Sequence, residues 1–286
     1  MNITPKLIDL VTDSGSLCKT NEDHYITGRY LFVLFDGATG LGEKILDGYS
    51  SDSVWFLEIF ERYLLDYWKN GADFLQATSE AINQSSIIFR ELTNNINFPL
   101  HRYPSSGMVA LTIEDRVVNL YRTGDCSIYS WDSAVAEVLF QESRLSALDE
   151  SAIKLMSKHL SDGMSYDSAM QAIMSLLISN RSMMNRPGGY GVLSLDPRCV
   201  EFIDKTTIKS SGESKLLLTT DGFSAILDSY KKYTIKELFQ KLENSNLEEV
   251  LEEIRSIEAD DNALKMYPRL KVHDDASAML IRLTTD

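Results

Sequence analysis

Residues 30–35, Tyr30-Leu-Phe-Val-Leu-Phe35, form an apolar run with no polar alternation, and the run stops at Asp36-Gly37. Such a run predicts a strand covered on both faces, with the acid where core meets solvent. Residues 215–220 repeat the pattern and stop at Asp221-Gly222. Asp-Gly is a common turn dipeptide, so either copy alone reads as a turn. The repetition carries more. If the two exits are neighbours in space, two like charges close together need a cation between them.

Along the rest of the chain, residues 6–13 and 24–29 read as strands around a turn at 14–20. Phe56, Ile59, Phe60, Tyr63, Leu64, Tyr67 and Trp68 keep helical i, i+3, i+4, i+7 spacing, with Glu58, Glu61, Arg62, Asp66 and Lys69 opposite. That aromatic stripe is a core face. Asp73 suits the cap of a second helix, whose Leu75, Ile82, Phe89 and Leu92 share a face. Strands follow at 108–113, 116–121 and 127–131, with turns at Glu114-Asp115 and Thr123-Gly124-Asp125. Helices are predicted at 143–159 and 165–179, strands at 191–195, 199–203 and 215–220, a helical stretch over 226–257 and a closing strand over 276–283. Strands in two groups with paired helices between them predict an α+β fold, two mainly antiparallel sheets face to face under outer helices. No linker interrupts the pattern, so residues 1–286 read as one domain.

Hydrophobic residues at 44% and charged residues at 24% suit a soluble globular protein. The 28 Lys+Arg against 42 Asp+Glu leave a net charge of -14, which would repel nucleic acid and an anionic membrane surface. Cys18, Cys126 and Cys199 are odd in number and widely spaced, so neither a disulfide framework nor a zinc knuckle is indicated. The first ten residues hold no apolar run of signal-peptide length and no stretch approaches a membrane span, so a reducing, cytoplasmic setting is expected.

Charge changes the picture most at the strand ends. Acids stand at five of them: Glu22-Asp23, Asp36, Asp125, Asp221 and Asp274-Asp275. The histidines, His24, His101, His159 and His273, are scattered. A donor set made of oxygen selects hard cations, Mg²⁺ or Mn²⁺. Several carboxylates can hold two ions about 3.5 to 4 Å apart with an activated water between them, the equipment for hydrolysing a phosphate ester. The loop 37–42 carries three glycines without a Walker lysine pattern, and these are read as letting backbone carbonyls turn toward a metal.

Asn21-Glu22-Asp23, Phe35-Asp36-Gly37, Arg122-Thr-Gly-Asp-Cys-Ser-Ile-Tyr129, Leu218-Thr-Thr-Asp-Gly222 and Asp274-Asp-Ala-Ser277 resemble, in order, the motifs of the metal-dependent type 2C serine/threonine protein phosphatases. The resemblance covers nearly the whole chain. It implies a four-layer α-β-β-α sandwich and hydrolysis of phosphoserine or phosphothreonine on protein substrates by a metal-activated water. By position, Asp36 resembles the carboxylate bridging two ions and Gly37 the residue whose carbonyl joins one of them. Asp221 and Asp274 match further ligands of the first ion and Glu22 a group at the second. Asp23 resembles an outer acid, and Asp125 a ligand of a looser third ion.

The chain also departs from these relatives. Cys18 stands where they often carry a phosphate-gripping arginine, Ala38 where some have a histidine and Ala225 where some have an aspartate; Ser105-Ser-Gly-Met keeps only the glycine of its motif. Lys19 is the first candidate to supply the missing phosphate-binding charge, then Arg186 and Arg102. The alternative reading is a phosphatase-like regulatory or scaffold protein that still binds divalent metal.

Overall fold

The computed structural model describes residues 3–16, 18–114, 117–132, 135–140, 144–208 and 212–285. Strand β1 (Ile3–Asp13) is followed by β2 (His24–Thr27) and β3 (Leu31–Ala38), then helices α1 (Asp52–Lys69) and α2 (Phe74–Leu92). Next come β4 (Ser105–Glu114), β5 (Val117–Thr123), β6 (Ser127–Asp132) and β7 (Val135–Val138). Helices α3 (Arg144–Ser161) and α4 (Tyr166–Arg181) lead to β8 (Leu193–Ser194), β9 (Asp204–Ile208) and β10 (Ser214–Thr219). The chain closes with α5 (Asp221–Asp228), α6 (Ile235–Lys241), α7 (Leu247–Asp260) and β11 (Ala276–Thr285). One sheet runs β1-β11-β10-β6-β7 and the other β2-β3-β4-β5-β9 with β8 against β4, and every strand pairing is antiparallel.

The unbroken apolar runs have the expected cause. On β3, Leu31, Val33 and Phe35 face α1 and α2, while Phe32 and Leu34 face the other sheet, and all five are buried. On β10, Leu217 faces α5, α6 and α7, while Leu216 and Leu218 join Val109, Leu120, Met279 and Ile281 between the sheets. Three stacked apolar layers therefore separate four layers of secondary structure, each fully buried Leu or Phe contributing roughly 1.5–3 kcal/mol. The aromatic stripe of α1 packs on this core as expected, and Ser51 and Asp73 cap α1 and α2 by accepting from the Val54 and Gln76 amides at 3.1 and 3.0 Å.

Several expectations fail for local reasons. The β3 strand does not end at Phe35: its ladder continues through Asp36↔Gly107, Gly37↔Ser106 and Ala38↔Ser105. Residues 199–203 are not a strand, because Asp196 accepts from the Arg198 amide and Pro197 starts a 3-10 helix, Pro197–Phe202. The true strand is β9, whose polar, half-exposed sequence carries no apolar signal. The exposed edge strand β7 escapes notice for the same reason. Of residues 191–195 only Leu193–Ser194 pairs, and the stretch 226–257 is divided among α5, α6 and α7, with α5 beginning already at Asp221. Leu92 is exposed. The turn residue Asp115, the strand start at Arg116 and the helix start at Ser143 lie outside the described residues.

Candidate metal centre

Asp36 continues the face of Phe32 and Leu34, so its carboxylate stands at the end of the layer between the sheets. From the other sheet, Asp221 opens α5 directly after β10, and its amide donates to Asp36 Oδ2 at 3.4 Å. From the β5–β6 turn come Asp125 and Cys126, and a ligand atom from each of Asp36, Asp125 and Cys126 lies within 4.8 Å of the others. Asp274, just before β11, completes the group through its field on Asp36 and Asp221. Four acids from distant parts of the chain are thus gathered at one end of the sandwich.

The two Asp-Gly units are not simple turns. A Cβ on Gly37 would drive into the Glu22 carbonyl, and one on Gly222 into the Asp275 carbonyl. Each glycine lets a neighbouring acid-bearing segment lie against the strand or helix that carries the central carboxylate. Gly107, opposite Asp36, does the same for Asp125 and Cys126, since a Cβ there would sit 3.1 Å from Asp125 Oδ1 and from Cys126 Sγ. The closely approached carbonyl belongs to Glu22, a detail the sequence reading of these glycines lacks.

Around this centre the other acids are fixed by hydrogen bonds. The Glu22 carboxylate accepts from the Thr39 hydroxyl and from the Thr39 amide at 3.4 Å, and its own amide donates to Asp275 Oδ2 at 3.0 Å. Asp23 is buried, accepts from Thr220 Oγ1 at 3.0 Å through Oδ2, and leaves Oδ1 buried without a partner.

Burial, and then Asp221, Asp23, Asp125 and Asp274, hold the Asp36 carboxyl well above the usual carboxylate range. Burial and then Asp274 and Asp125 push Asp221 up to about 7. Burial and then Asp149 of α3 push Asp125 up to about 6. Asp23 is raised by burial and by Asp275 against the hydrogen bond it accepts from Thr220. Like charges held this close are costly unless a cation or protons neutralise them. Carboxylate oxygens make up most of the donor set, which suits a hard divalent ion, while burial, followed by the surrounding aspartates, holds the neighbouring Cys126 thiol above its ordinary value. The orphaned Asp23 Oδ1 fits the same reading.

Two lysines already lean on the cluster. Lys271 Nζ lies 2.5 Å from Asp274 Oδ1, and Lys19 Nζ lies 2.8 Å from Asp275 Oδ1 and 3.8 Å from Asp274 Oδ1. Although more than half of the Lys271 side chain is exposed, desolvation of its ammonium beside the acids lowers the pKa, and Asp274, Asp221 and Asp36 outweigh that and hold it well above the ordinary value. Lys271 escapes a reading of motifs because it precedes Asp274 in an irregular segment without periodicity. Lys19, which strand alternation would turn away, points at the acids because it follows a turn rather than lying in a strand. Arg186 is exposed, its carbonyl accepting from the Gly189 amide at 2.8 Å and its guanidinium making no ion pair among the described residues. Arg102 is occupied elsewhere, donating to the Glu43 carbonyl at 2.6 Å beside Phe98.

The arginine that does reach this region is Arg181, from the last turn of α4. Its Nη2 donates to the carbonyls of Ala38 at 2.8 Å and Tyr103 at 3.1 Å, and to Ser105 Oγ at 3.2 Å. It ties the inserted helix pair to the end of β3, immediately beyond Asp36-Gly37.

No family model and no curated protein matches this chain. Its fold has close company among solved structures. The catalytic domain of the serine/threonine protein phosphatase PstP, in complex with two manganese ions, superposes with TM-score 0.55 at 13% identity over 99% of this chain and 100% of that one. The serine/threonine phosphatase Stp1 from Staphylococcus aureus gives 0.52 at 14% over 100% and 98%. PppA, a regulatory component of T6SS in Pseudomonas aeruginosa, gives 0.53 at 13% over 98% and 97%. The chain has the α-β-β-α sandwich of these structures.

Proposed function

We propose that this protein is a metal-dependent phosphatase acting on phosphoserine and phosphothreonine in proteins. The observation that carries the reading is the convergence of Asp36, Asp125, Asp221 and Asp274 from both sheets, with raised carboxyl pKa values that call for a divalent cation. Asp36 would be the ligand shared by two ions, with the Gly37 carbonyl, Asp221 and Asp274 holding one, Glu22 the other and Asp125 a looser third. Asp23 braces this set through Thr220. Two such ions, Mn²⁺ or Mg²⁺, would supply Lewis-acid polarisation of the phosphoryl group and activation of the attacking water. Lys19 and Lys271 are the cations positioned to attract the substrate phosphate in place of the arginine that Cys18 replaces, and Arg186 drops behind them because no contact draws it to the acids.

Strand β1 pairs with β11 from the other end of the described chain, and β3 and β10 each contribute to the apolar layer between the sheets, which supports a single catalytic domain. Among the described residues no helix is long and apolar enough to cross a membrane. Three unpaired cysteines, two of them buried, support a reducing, cytoplasmic setting. The charge of -14 disfavours nucleic acid and anionic lipid as partners.

A second reading, a metal-binding regulatory or scaffold protein, draws support from Cys18 and from the lysines that partly neutralise Asp274 and Asp275. Hydrolysis of an aryl phosphate with and without Mn²⁺ separates the two. The enzyme reading expects Mn²⁺-dependent turnover, reduced at least a hundredfold in Asp36→Asn and much less in Asp125→Asn, because only the first removes a charge shared by two ions. A Mn²⁺-induced rise in Tm without turnover would select the scaffold. Equal losses in the two variants would overturn the assigned roles.

A further inference from the structure

Behind the turn that carries Asp125 lies a cavity of about 350 Å³, lined among others by Arg122, Thr123, Arg144 and Tyr190, with the exposed Glu201 and Asp204 also lining it. Arg122 is the anomaly. It is only 4% exposed, its Nε is buried without a hydrogen-bond partner, and its guanidinium forms no ion pair among the described residues. The Phe140 ring lies against it, 5.9 Å from Cζ to the ring centroid. Asp204 sits directly across from it in the β5–β9 register, yet is exposed and forms no ion pair with it. The Thr123 hydroxyl, 2% exposed, is also buried without a partner. Arg144 brings a further guanidinium to the same cavity, donating to the Gly189 carbonyl at 3.1 Å.

An unpaired buried charge is strongly unfavourable unless something neutralises it. A guanidinium presents a planar fork that matches two oxygens of one anion. The volume is at the low end of small-ligand sites, about 300–1,000 Å³. We propose that this cavity binds a small oxyanion, the phosphate or carboxylate group of a small molecule, on Arg122. The site is separate from the metal centre and does not depend on the proposed phosphatase activity.

The test is thermal unfolding of the full chain with Mg²⁺ present, in inorganic phosphate or acetate against sodium chloride of equal ionic strength. A ligand that binds only the folded state stabilises it by mass action, so wild type is expected to gain about 2–4 °C in at least one of the two anions. The phosphate arm reads a phosphate-bearing ligand and the acetate arm a carboxylate-bearing one. Asp36→Asn, which disables the metal centre, should keep the gain, and Arg122→Met should lose it. Arg122→Lys, which keeps the charge but not the fork, should show a smaller gain than wild type and serves if the Met variant fails to fold. No shift with either anion, an undiminished shift in Arg122→Met or Arg122→Lys, or loss of the shift in Asp36→Asn would each overturn the proposal.

Discussion

Lys271 is the residue whose placement most alters the view of the acid cluster. Its ammonium lies against Asp274 and within the field of Asp221 and Asp36, so it competes with any divalent ion for the same carboxylates. Removing a positive charge beside a cation site strengthens cation binding, by an amount that solvent screening limits because more than half of this side chain is exposed. Lys271→Met is therefore expected to lower the Mn²⁺ concentration giving the half-maximal Tm shift several-fold. An unchanged or higher Mn²⁺ requirement in that variant would mean that Lys271 does not compete for Asp274. The neighbouring Lys19 pairs mainly with Asp275, whose other oxygen holds the Glu22 amide, and so it buttresses the acids from outside the central group.

At the scale of elements, the inserted pair α3 and α4 is tied to the rest by Tyr166, whose hydroxyl donates to the Leu270 carbonyl at 2.8 Å, and by Arg181, whose Nη2 donates to three acceptors. Hydrogen bonds to a charged donor are stronger than neutral ones, and the three acceptors of Nη2 lie on the end of β3, the stretch before β4 and β4 itself. Arg181→Met is expected to cost roughly 2–4 kcal/mol of stability, read as a fall in Tm of several degrees. It should also lower kcat/KM, because the Ala38 carbonyl it holds follows Asp36-Gly37. A variant with wild-type Tm and activity would reduce Arg181 to a surface contact. The same insertion presents Asp149 toward Asp125, so its docking also sets the charge felt by that carboxylate.

For the whole molecule, the raised carboxyl groups make stability depend on pH in a direction opposite to that of ordinary salt-bridged acids. A group whose folded pKa lies above its unfolded value stabilises the fold below the unfolded pKa and loses that contribution as pH rises through the folded one. Asp125 rises from 3.8 to about 6 and Asp221 from 3.8 to about 7. Chelator-treated protein should therefore lose stability from about pH 4 to about pH 7 through these groups. Added Mn²⁺ should restore it most at the upper end, where the carboxylates are charged. Tm measured across this range in chelator should fall less steeply in Asp221→Asn than in wild type. Identical slopes would show that the cluster is not what titrates.

Much of this was legible in the chain because burial on both faces leaves an unmistakable apolar run, as at β3 and β10, and because acids directly after such runs must stand at the edge of the core. The helix stripe of α1 and the cap at Asp73 were equally readable, since both are local in sequence. The polar edge strands β7 and β9 were not, because pairing through backbone groups leaves no hydrophobic signature. Neither Lys271 at Asp274, Arg181 at the Ala38 carbonyl nor the unpartnered Arg122 could be read from order along the chain. Each is defined by where segments far apart in sequence meet, and charge–charge energies depend on those distances and on burial, quantities that only the packed sheets determine.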